Sequence, residues 1–382
     1  MRDSLKPSIL SAMILAFASL GDAFLYIVLP LHAMEMNVPI TWVGILLSVN
    51  RFVRIISNQL FARLLNLYGF RRITIYAAVF SVITTLLYGM ANLIVIWVIA
   101  RIIWGLCYSA LRLSSIGYSL ENKQPGIALC LNKGLQELGP VIALLAGPLL
   151  LKWTSVSDSF IIFSLVSILS LCLAYFLPDL KHHKIAHKFS FNMIPSSFNL
   201  VTFFSSVFVQ GILIVLITKL LADDHLSTIE LTTIAGLYLA FRRLCSVFLA
   251  PLGGMLADRW GINKVYLLTI LFTIAGGILI IAGYTSAGIL ITFSFYSIAQ
   301  ALSPGSAATG STNHINAAAT NSTWSDMGAA TGVLIAGAML DLVNPEFPVM
   351  ISTLVLLLVS IYYIKSTYFQ TKEVYNAIEQ NS

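Results

Sequence analysis

Eight Lys or Arg side chains lie inside stretches of the chain that otherwise consist of apolar residues. They are Arg51, Arg54, Arg63, Arg101, Arg112, Lys133, Arg242 and Arg243. A cation at the centre of a lipid bilayer costs at least about 2.5 kcal/mol, so such residues normally face a protein-lined cavity and mark a pathway for a solute or an ion. Only three acidic residues lie at comparable depth, namely Asp22, Glu137 and Asp326. The excess of positive charge favours an anionic solute.

The composition indicates a polytopic membrane protein. Apolar residues make up 58% of the chain and charged residues 10%, against about 25% charged residues in soluble domains. We count about twelve apolar runs that reach the ~20 residues a spanning helix needs. The alternating pattern of a membrane barrel is absent. The sequence predicts an all-α integral membrane protein with twelve transmembrane helices in two six-helix repeats.

The distribution of basic residues predicts the orientation. With the N-terminus in the cytoplasm, nearly all loop Lys and Arg residues fall inside, and Lys152 and Lys219 are the exceptions. Both termini are therefore expected in the cytoplasm, and the protein in a cytoplasmic membrane. The first apolar run is too long for the core of a signal peptide and is expected to be retained. The basic pI needs no nucleic-acid partner.

No cofactor or metal is expected. The four cysteines are scattered, and His182, His183 and His187 lie in a polar stretch with three lysines. A basic linker is favoured there over a metal site, since no Cys or carboxylate cluster completes a ligand set. The predicted domains are a six-helix bundle at 1–177, a cytoplasmic linker at 178–196 and a second bundle with a short tail at 197–382.

An internal duplication relates the two halves. An offset of 192 residues (236 − 44 = 192) aligns the second helix and the following loop of each half without a gap. The aligned pairs include Gly44 with Gly236, Arg51 with Arg243 and Gly69 with Gly261. An offset of about half the chain is typical of two parallel six-helix repeats.

The loop after the eighth helix carries a recognisable signature. Its residues are Gly254, Asp258, Arg259, Gly261 and Lys264. The pattern resembles the loop signature of the major facilitator superfamily. The resemblance implies alternating access at a binding site between the halves, and a gating role for these five residues. The first-half copy departs from the pattern, with Ala62, Asn66 and Leu67 at the glycine, Asp and Arg positions.

Two shorter elements also resemble this family. Arg101 and Gly105 match an intramembrane Arg-x-x-x-Gly element that is associated with proton transfer in proton-coupled members. Gly139 and Pro140 match the centre of the antiporter motif, whose flanking glycines are replaced here. Together they favour export by exchange for protons, with a gating role for Gly139 and Pro140.

The candidate substrate-binding residues are Arg51, Arg54, Arg243, Tyr26 and Asp326. Arginine's fixed fork of donors suits bidentate contact with a carboxylate or phosphate. An ion pair with Asp22 is the alternative for Arg51 and Arg54. Packing is the alternative for Tyr26 and Asp326.

The candidate proton-coupling residues are Asp22, Glu137 and Arg101. Asp22 ranks first among the acids because its own helix carries no cation. Glu137 is four residues from Lys133, and the two can simply neutralise each other. Asp326 competes for the same role.

Asp258 is expected to contact the start of the fifth helix, near Gln124-Pro125-Gly126, while the cytoplasmic side is closed. Proline suits a first helical turn, and the free N–H groups there favour a carboxylate.

The sequence therefore predicts a monomeric, proton-coupled secondary transporter in the lipid bilayer. Its expected substrate is a small organic anion or carboxylate-bearing amphipathic metabolite, including siderophore-type chelators. A broad drug/proton antiporter is the alternative within the same class. A polytopic membrane enzyme or a sensor is the alternative outside it, and the chain offers neither a catalytic cluster nor room for a signalling domain.

Overall fold

The computed structural model describes residues 4–180, 195–222, 228–339 and 343–379, and these residues form helices without any strand. The first half contains α1 (Lys6–Ala18), α2 (Leu20–His32), α3 (Ile40–Tyr68), α4 (Phe70–Met90), α5 (Ile94–Leu120), α6 (Pro125–Leu150) and α7 (Val156–Tyr175). The second half contains α8 (Ser197–Ser206), a π-helical turn (Val207–Ile212), α9 (Leu213–Leu220), α10 (Thr228–Trp260), α11 (Ile262–Ile281), α12 (Thr285–Ala308), α13 (His314–Met339) and α14 (Glu346–Glu379).

These elements form the twelve predicted membrane-length segments, because α1 and α2 form one span and α8 to α9 form another. By length and composition, nine helices in the described part of the chain can cross a membrane. The long helices outside that set are α3, α6 and α13. They contain the candidate residues Arg51, Glu137 and Asp326.

Two turn glycines confirm the predicted repeat in the backbone. Gly69 separates α3 from α4 with φ +92°, and Gly261 separates α10 from α11 with φ +96°. Both angles lie in the left-handed region, which glycine adopts without steric cost. The two helix pairs therefore turn in the same way at positions 192 residues apart.

The chain packs into two compact units that do not follow the sequence halves. The first comprises Met1–Phe191, Arg243–Tyr266 and Gln300–Thr323, and the second Asn192–Arg242, Leu267–Ala299 and Trp324–Ser382. The predicted bundles at 1–177 and 197–382 stay a prediction. Most of the predicted linker, including its three histidines, lies outside the described residues.

In the first unit, α5 is the central helix. It packs against α1, α3, α4 and α6. Trp97 and Ala100 belong to one apolar cluster, and Trp104 belongs to another. Arg101 lies between them along α5 and is completely buried. The helix thus places one cation at the junction of two apolar clusters.

Candidate functional site

Arg101 is held by four groups from three neighbouring helices. Its Nε donates to the carbonyl oxygen of Leu46 at 2.8 Å, and one Nη donates to the carboxylate of Asp22. The same Nη is 3.3 Å from the hydroxyl of Tyr88, and the other is 3.5 Å from the hydroxyl of Tyr26. A buried charge is stable only when it is paired and hydrogen-bonded in this way. Arg101 therefore fixes Asp22, whose side chain remains 16% exposed.

Asp22 ranked first among the candidate proton-coupling acids because its own helix carries no cation, and this geometry corrects that reasoning. Helix α5 supplies a cation from outside. Spacing along the chain identified Asp22 and Arg101 separately, but not their contact. Tyr88 was missed, because an aromatic residue in an apolar run carries no signal of its own. Tyr26 donates its hydroxyl to Leu47 O at 3.1 Å and places its ring 5.6 Å from the Arg101 guanidinium, so packing explains it.

A polar face of α3 carries Arg51. Residues four apart share one face of a helix, so Arg51 lies in line with Ile55 and Gln59. Gln59 donates to Thr320 Oγ1 at 2.9 Å, and Thr323 Oγ1 is 3.5 Å from the carbonyl oxygen of Ile55. This line of residues therefore lies beside α13 at Gln59 and Ile55. Arg51 itself is partly exposed, and no residue in the described ranges pairs with it or hydrogen-bonds to it.

Arg54 lies one turn from Arg51 and has a different environment. Its guanidinium lies 4.8 Å from the centre of the Tyr108 ring, which is within the range of a cation–π interaction. The carboxylate of Asp22, which the sequence offered as its partner, is bound by Arg101.

Glu137 is shared between two cations. Lys133 Nζ contacts its Oε1 at 2.6 Å, and Arg243 Nη1 contacts its Oε2 at 2.7 Å. The first contact is the neutralisation that the spacing predicted. The second, between α6 and α10, was not predicted, because no short-range pattern relates residues 106 positions apart. The side chains of Lys133, Glu137 and Arg243 are 22%, 15% and 31% exposed, so the protein does not fully enclose any of the three.

The two helices that meet at Glu137 are in close backbone contact along their length. A Cβ built on Gly126 would lie 2.7 Å from Gly254 O, and one built on Gly134 would lie 2.8 Å from Ser246 O. Gly126, Gly134 and Glu137 on α6 contact Gly254, Ser246 and Arg243 on α10, in that order. The two helices therefore run antiparallel, with equal residue spacings between successive contacts. We call this contact, from Gly126 to Glu137 and from Arg243 to Asp258, the α6–α10 seam. Small residues let two helices approach this closely.

Asp258 closes one end of the seam. Its Oδ1 accepts a hydrogen bond from the N–H of Gly126 at 2.7 Å, and its Oδ2 accepts one from the N–H of Ile127 at 2.8 Å. Pro125 occupies the first turn of α6 as expected. The structure thus contains the predicted contact of Asp258 with a helix N-terminus, where a carboxylate is stabilised. Its role as a gate stays a prediction.

The other signature residues have separate explanations. Gly254 has to be a glycine because a Cβ there would clash with α6 across the seam, and Gly261 because its φ is positive. Arg259 and Lys264 are exposed. A Cβ on Gly139 would run into the carbonyl oxygen of Ala16 on α1, so close packing explains this glycine. Pro140 lies inside α6, where it removes a backbone N–H. Their assigned gating roles are not tested by these contacts.

Asp326 belongs to the second unit, where it is buried on α13. Its neighbour Ser325 joins a polar cluster beside the π-helical turn. In that cluster Gln210 Nε2 lies 2.8 Å from Tyr296 Oη and 3.1 Å from Ser206 Oγ, and Ser206 Oγ lies 3.0 Å from Ser325 Oγ. Single π-helical turns often mark functional positions. Sequence reasoning named Gln210 only as one of several polar residues.

A metal centre has no ligand set within the described part of the chain, because no group of three or more His, Cys, Asp or Glu residues comes together there. Among the described residues the geometry provides a buried ion pair at Arg101, a carboxylate between two cations at Glu137, and the guanidinium of Arg51, to which no described residue is paired or hydrogen-bonded.

Comparison with known proteins identifies the fold. The family model "Major Facilitator Superfamily" matches residues 11–200. No curated protein sequence matches the chain significantly. Among solved structures, the human organic anion transporter MFSD10 (TETRAN) has a TM-score of 0.71 at 13% identity, covering 94% of this chain and 99% of that one.

Two further structures are similar over nearly the whole chain. The Escherichia coli fucose:proton symporter FucP has a TM-score of 0.73 at 13% identity, with 95% of this chain and 99% of the other covered. A bacterial homologue of the iron transporter ferroportin, in an outward-facing state, has a TM-score of 0.66 at 13% identity, with 96% and 100% covered.

The twelve membrane-length helical segments, the two turns at matched positions and the charged residues inside the helices define a polytopic membrane transporter. The chain belongs to the major facilitator superfamily, and its fold is that of a secondary transporter.

Proposed function

We propose that this chain is a proton-coupled secondary transporter of a small organic anion. The proposed substrate class is a carboxylate-bearing, amphipathic metabolite, and polycarboxylates such as siderophore-type chelators belong to it. The proposed location is a cytoplasmic membrane, with both termini in the cytoplasm and the protein acting as a monomer.

The observation that carries this proposal is Arg51. It lies on the membrane-length helix α3, partly exposed, with no ion-pair or hydrogen-bond partner among the described residues. An uncompensated charge at membrane depth is costly. An anionic ligand removes that cost, and a guanidinium binds a carboxylate bidentately. A neutral or cationic ligand has no such effect.

Arg243 supports the same assignment from a second helix. It is the counterpart of Arg51 in the repeat, and it already binds a carboxylate, that of Glu137. Seven of the eight membrane-depth cations belong to the first unit, against two of the three acids, Asp22 and Glu137. This balance of charge favours an anion over a lipophilic cation.

Proton coupling is proposed to use the membrane-depth acids Asp22, Glu137 and Asp326. Asp22 is the leading candidate for driving the cycle, since its carboxylate keeps some exposure while Arg101 holds it in place. Exchange for protons, expected from Gly139 and Pro140, gains no support from the geometry, because packing against Ala16 accounts for Gly139.

The similar structures do not select the substrate, because their titles name an organic anion transporter, a fucose:proton symporter and an iron-transporter homologue. At 13% identity they show the fold alone. The proposal therefore stands on the charged residues. If the chain is instead a broad drug/proton antiporter, lipophilic cations should raise the melting temperature of the protein.

A thermal-shift experiment on the purified protein tests the proposal. The probes are hippurate, gluconate and succinate, with hippuramide as the neutral match for hippurate and tetraphenylphosphonium as the lipophilic cation. A ligand that binds the folded state raises the melting temperature by mass action. We expect at least one carboxylate to stabilise the wild type and hippuramide to have no effect.

The matched variants are Arg51→Gln and the exposed Arg72→Gln. Loss of a charge-assisted hydrogen bond costs about 1.5 to 3 kcal/mol, which is a roughly ten- to hundredfold loss of affinity. Arg51→Gln should lose that affinity and Arg72→Gln should retain it. Stabilisation by tetraphenylphosphonium alone would favour the drug antiporter instead.

A further inference from the structure

We infer that Lys133 and Arg243 form a two-cation carboxylate subsite that Glu137 fills in the absence of substrate, and that protonation of Glu137 opens it. The inference rests on the proposed function and adds to it a mechanism for the coupling. It assigns to Lys133 a role in binding the substrate carboxylate. It also implies that binding of a proton and binding of the anion strengthen each other.

The geometry of the three side chains supports a subsite that a substrate carboxylate can occupy. Each oxygen of Glu137 takes one cation, Lys133 on Oε1 at 2.6 Å and Arg243 on Oε2 at 2.7 Å. A carboxylate from outside has the same two oxygens and therefore meets the same two donors. All three side chains are partly exposed, so an exchange of one carboxylate for another needs no unfolding of the helices.

The charge of the cluster makes the exchange depend on a proton. With Glu137 ionised, the three groups carry one net positive charge, and both cations already have a partner. With Glu137 protonated, they carry two positive charges and the carboxyl group no longer competes for them. An anion that then binds restores the original charge of the cluster. Proton and anion thus stabilise each other at this site.

The other charged residues on the helices around α6 have contacts of their own. The helices packed against α6 are α1, α2 and α5, together with α10 along the seam. Their membrane-depth charged residues are Asp22 on α2, Arg101 and Arg112 on α5, and Arg242 and Arg243 on α10. Asp22 and Arg101 bind each other, and Arg112 and Arg242 each make an interaction of their own.

The direction of coupling follows from linkage. If protonation of Glu137 strengthens anion binding, anion binding strengthens protonation by the same factor. Proton and anion then enter and leave together, which is cotransport. Exchange requires the opposite, a proton and an anion that exclude each other. The inferred role of Glu137 therefore favours cotransport, whereas the antiporter-like Gly139-Pro140 pair favours exchange.

The test measures anion affinity against pH, using whichever of hippurate, gluconate or succinate stabilises the wild type most. Between about pH 6 and pH 8 these carboxylates stay mostly ionised. Wild-type affinity should rise as the pH falls, by up to about tenfold per pH unit for one linked proton. Glu137→Gln has no acid at this site to protonate, so its affinity should be high at pH 8 and should change with pH much less than that of the wild type. The exposed Glu35→Gln should behave as the wild type.

A second measurement keeps the test decisive if Glu137→Gln does not fold. Calorimetric titration of the wild type in two buffers of different ionisation enthalpy counts the protons taken up per anion. We expect an uptake of up to about one proton, largest at a pH where Glu137 is ionised before binding. Zero uptake across the pH range overturns the inference, as does wild-type affinity that does not change with pH.

These outcomes separate the inference from the proposed function. If none of the three carboxylates binds at any pH, the proposed function fails, and the inference fails with it. If a carboxylate binds with Arg51-dependent affinity but neither pH nor Glu137→Gln changes that affinity, the function stands and the inference is wrong.

Discussion

At the scale of single residues, two arginines on neighbouring helices have opposite environments. Arg101 is fully buried and donates to Leu46 O, Asp22 and Tyr88. Arg51 is partly exposed, and the described residues give it no partner. The first arginine joins α5 to three neighbouring helices, whereas the second is the arginine proposed to bind the ligand. Residue type alone does not distinguish these roles, because partners from other helices decide them.

Asp22→Asn is expected to abolish the accumulation of hippurate driven by a pH gradient, while exchange of labelled for unlabelled hippurate continues. The empty carrier has to release a proton before it returns, and asparagine has none to release. Exchange does not need that return step. The assay uses reconstituted liposomes, with Glu35→Gln as the control. Normal accumulation with normal pH dependence in Asp22→Asn would pass the role to Glu137 or Asp326.

At the scale of helices, the α6–α10 seam links three features that the sequence presents separately. Asp258 binds the N-terminus of α6 at one end, glycines allow close contact in the middle, and Glu137 binds Arg243 at the other end. Opening the seam breaks all of these contacts together. The seam is therefore suited to alternate between two states.

Gly254→Ala is expected to weaken the seam. Its Cβ would lie 2.6 Å from Gly126 O, and a backbone atom cannot give way as a flexible side chain can. Overpacking of this kind costs about 1 to 3 kcal/mol. Hydrogen–deuterium exchange at the amides of Gly126 and Ile127 should increase. Gly236→Ala on the same helix, where a Cβ meets nothing within 4 Å, should leave that exchange unchanged.

Asp258→Asn is expected to favour the state in which the seam is open, although Asp258 touches no proposed ligand. A carboxylate at a helix N-terminus contributes about 0.3 to 2 kcal/mol, and an interaction made in one state shifts the equilibrium by that amount. Spin labels at the exposed Tyr68 and Trp260 report the change, after the exposed native Cys172 is replaced. An unchanged distance distribution would remove Asp258 as a latch.

At the scale of the whole molecule, the sequence predicted the architecture better than the site. Apolar runs and the pairing of Gly69 with Gly261 were sufficient for the fold, because membrane helices must satisfy their backbones internally. The contacts of Asp22 with Arg101 and of Glu137 with Arg243 join distant positions. No periodicity or spacing encodes such pairs, so they became visible only with the helices packed.

The central claim is that this chain moves an organic anion together with protons. The most direct test is the internal pH of proteoliposomes, reported by a trapped dye, after an inward gradient of hippurate is imposed without a pH gradient. The account predicts acidification of the lumen that exceeds that of protein-free liposomes, is weakened by Arg51→Gln and is absent with hippuramide. Lumenal alkalinisation would indicate exchange. Equal traces with and without protein for hippurate, gluconate and succinate alike would contradict anion transport.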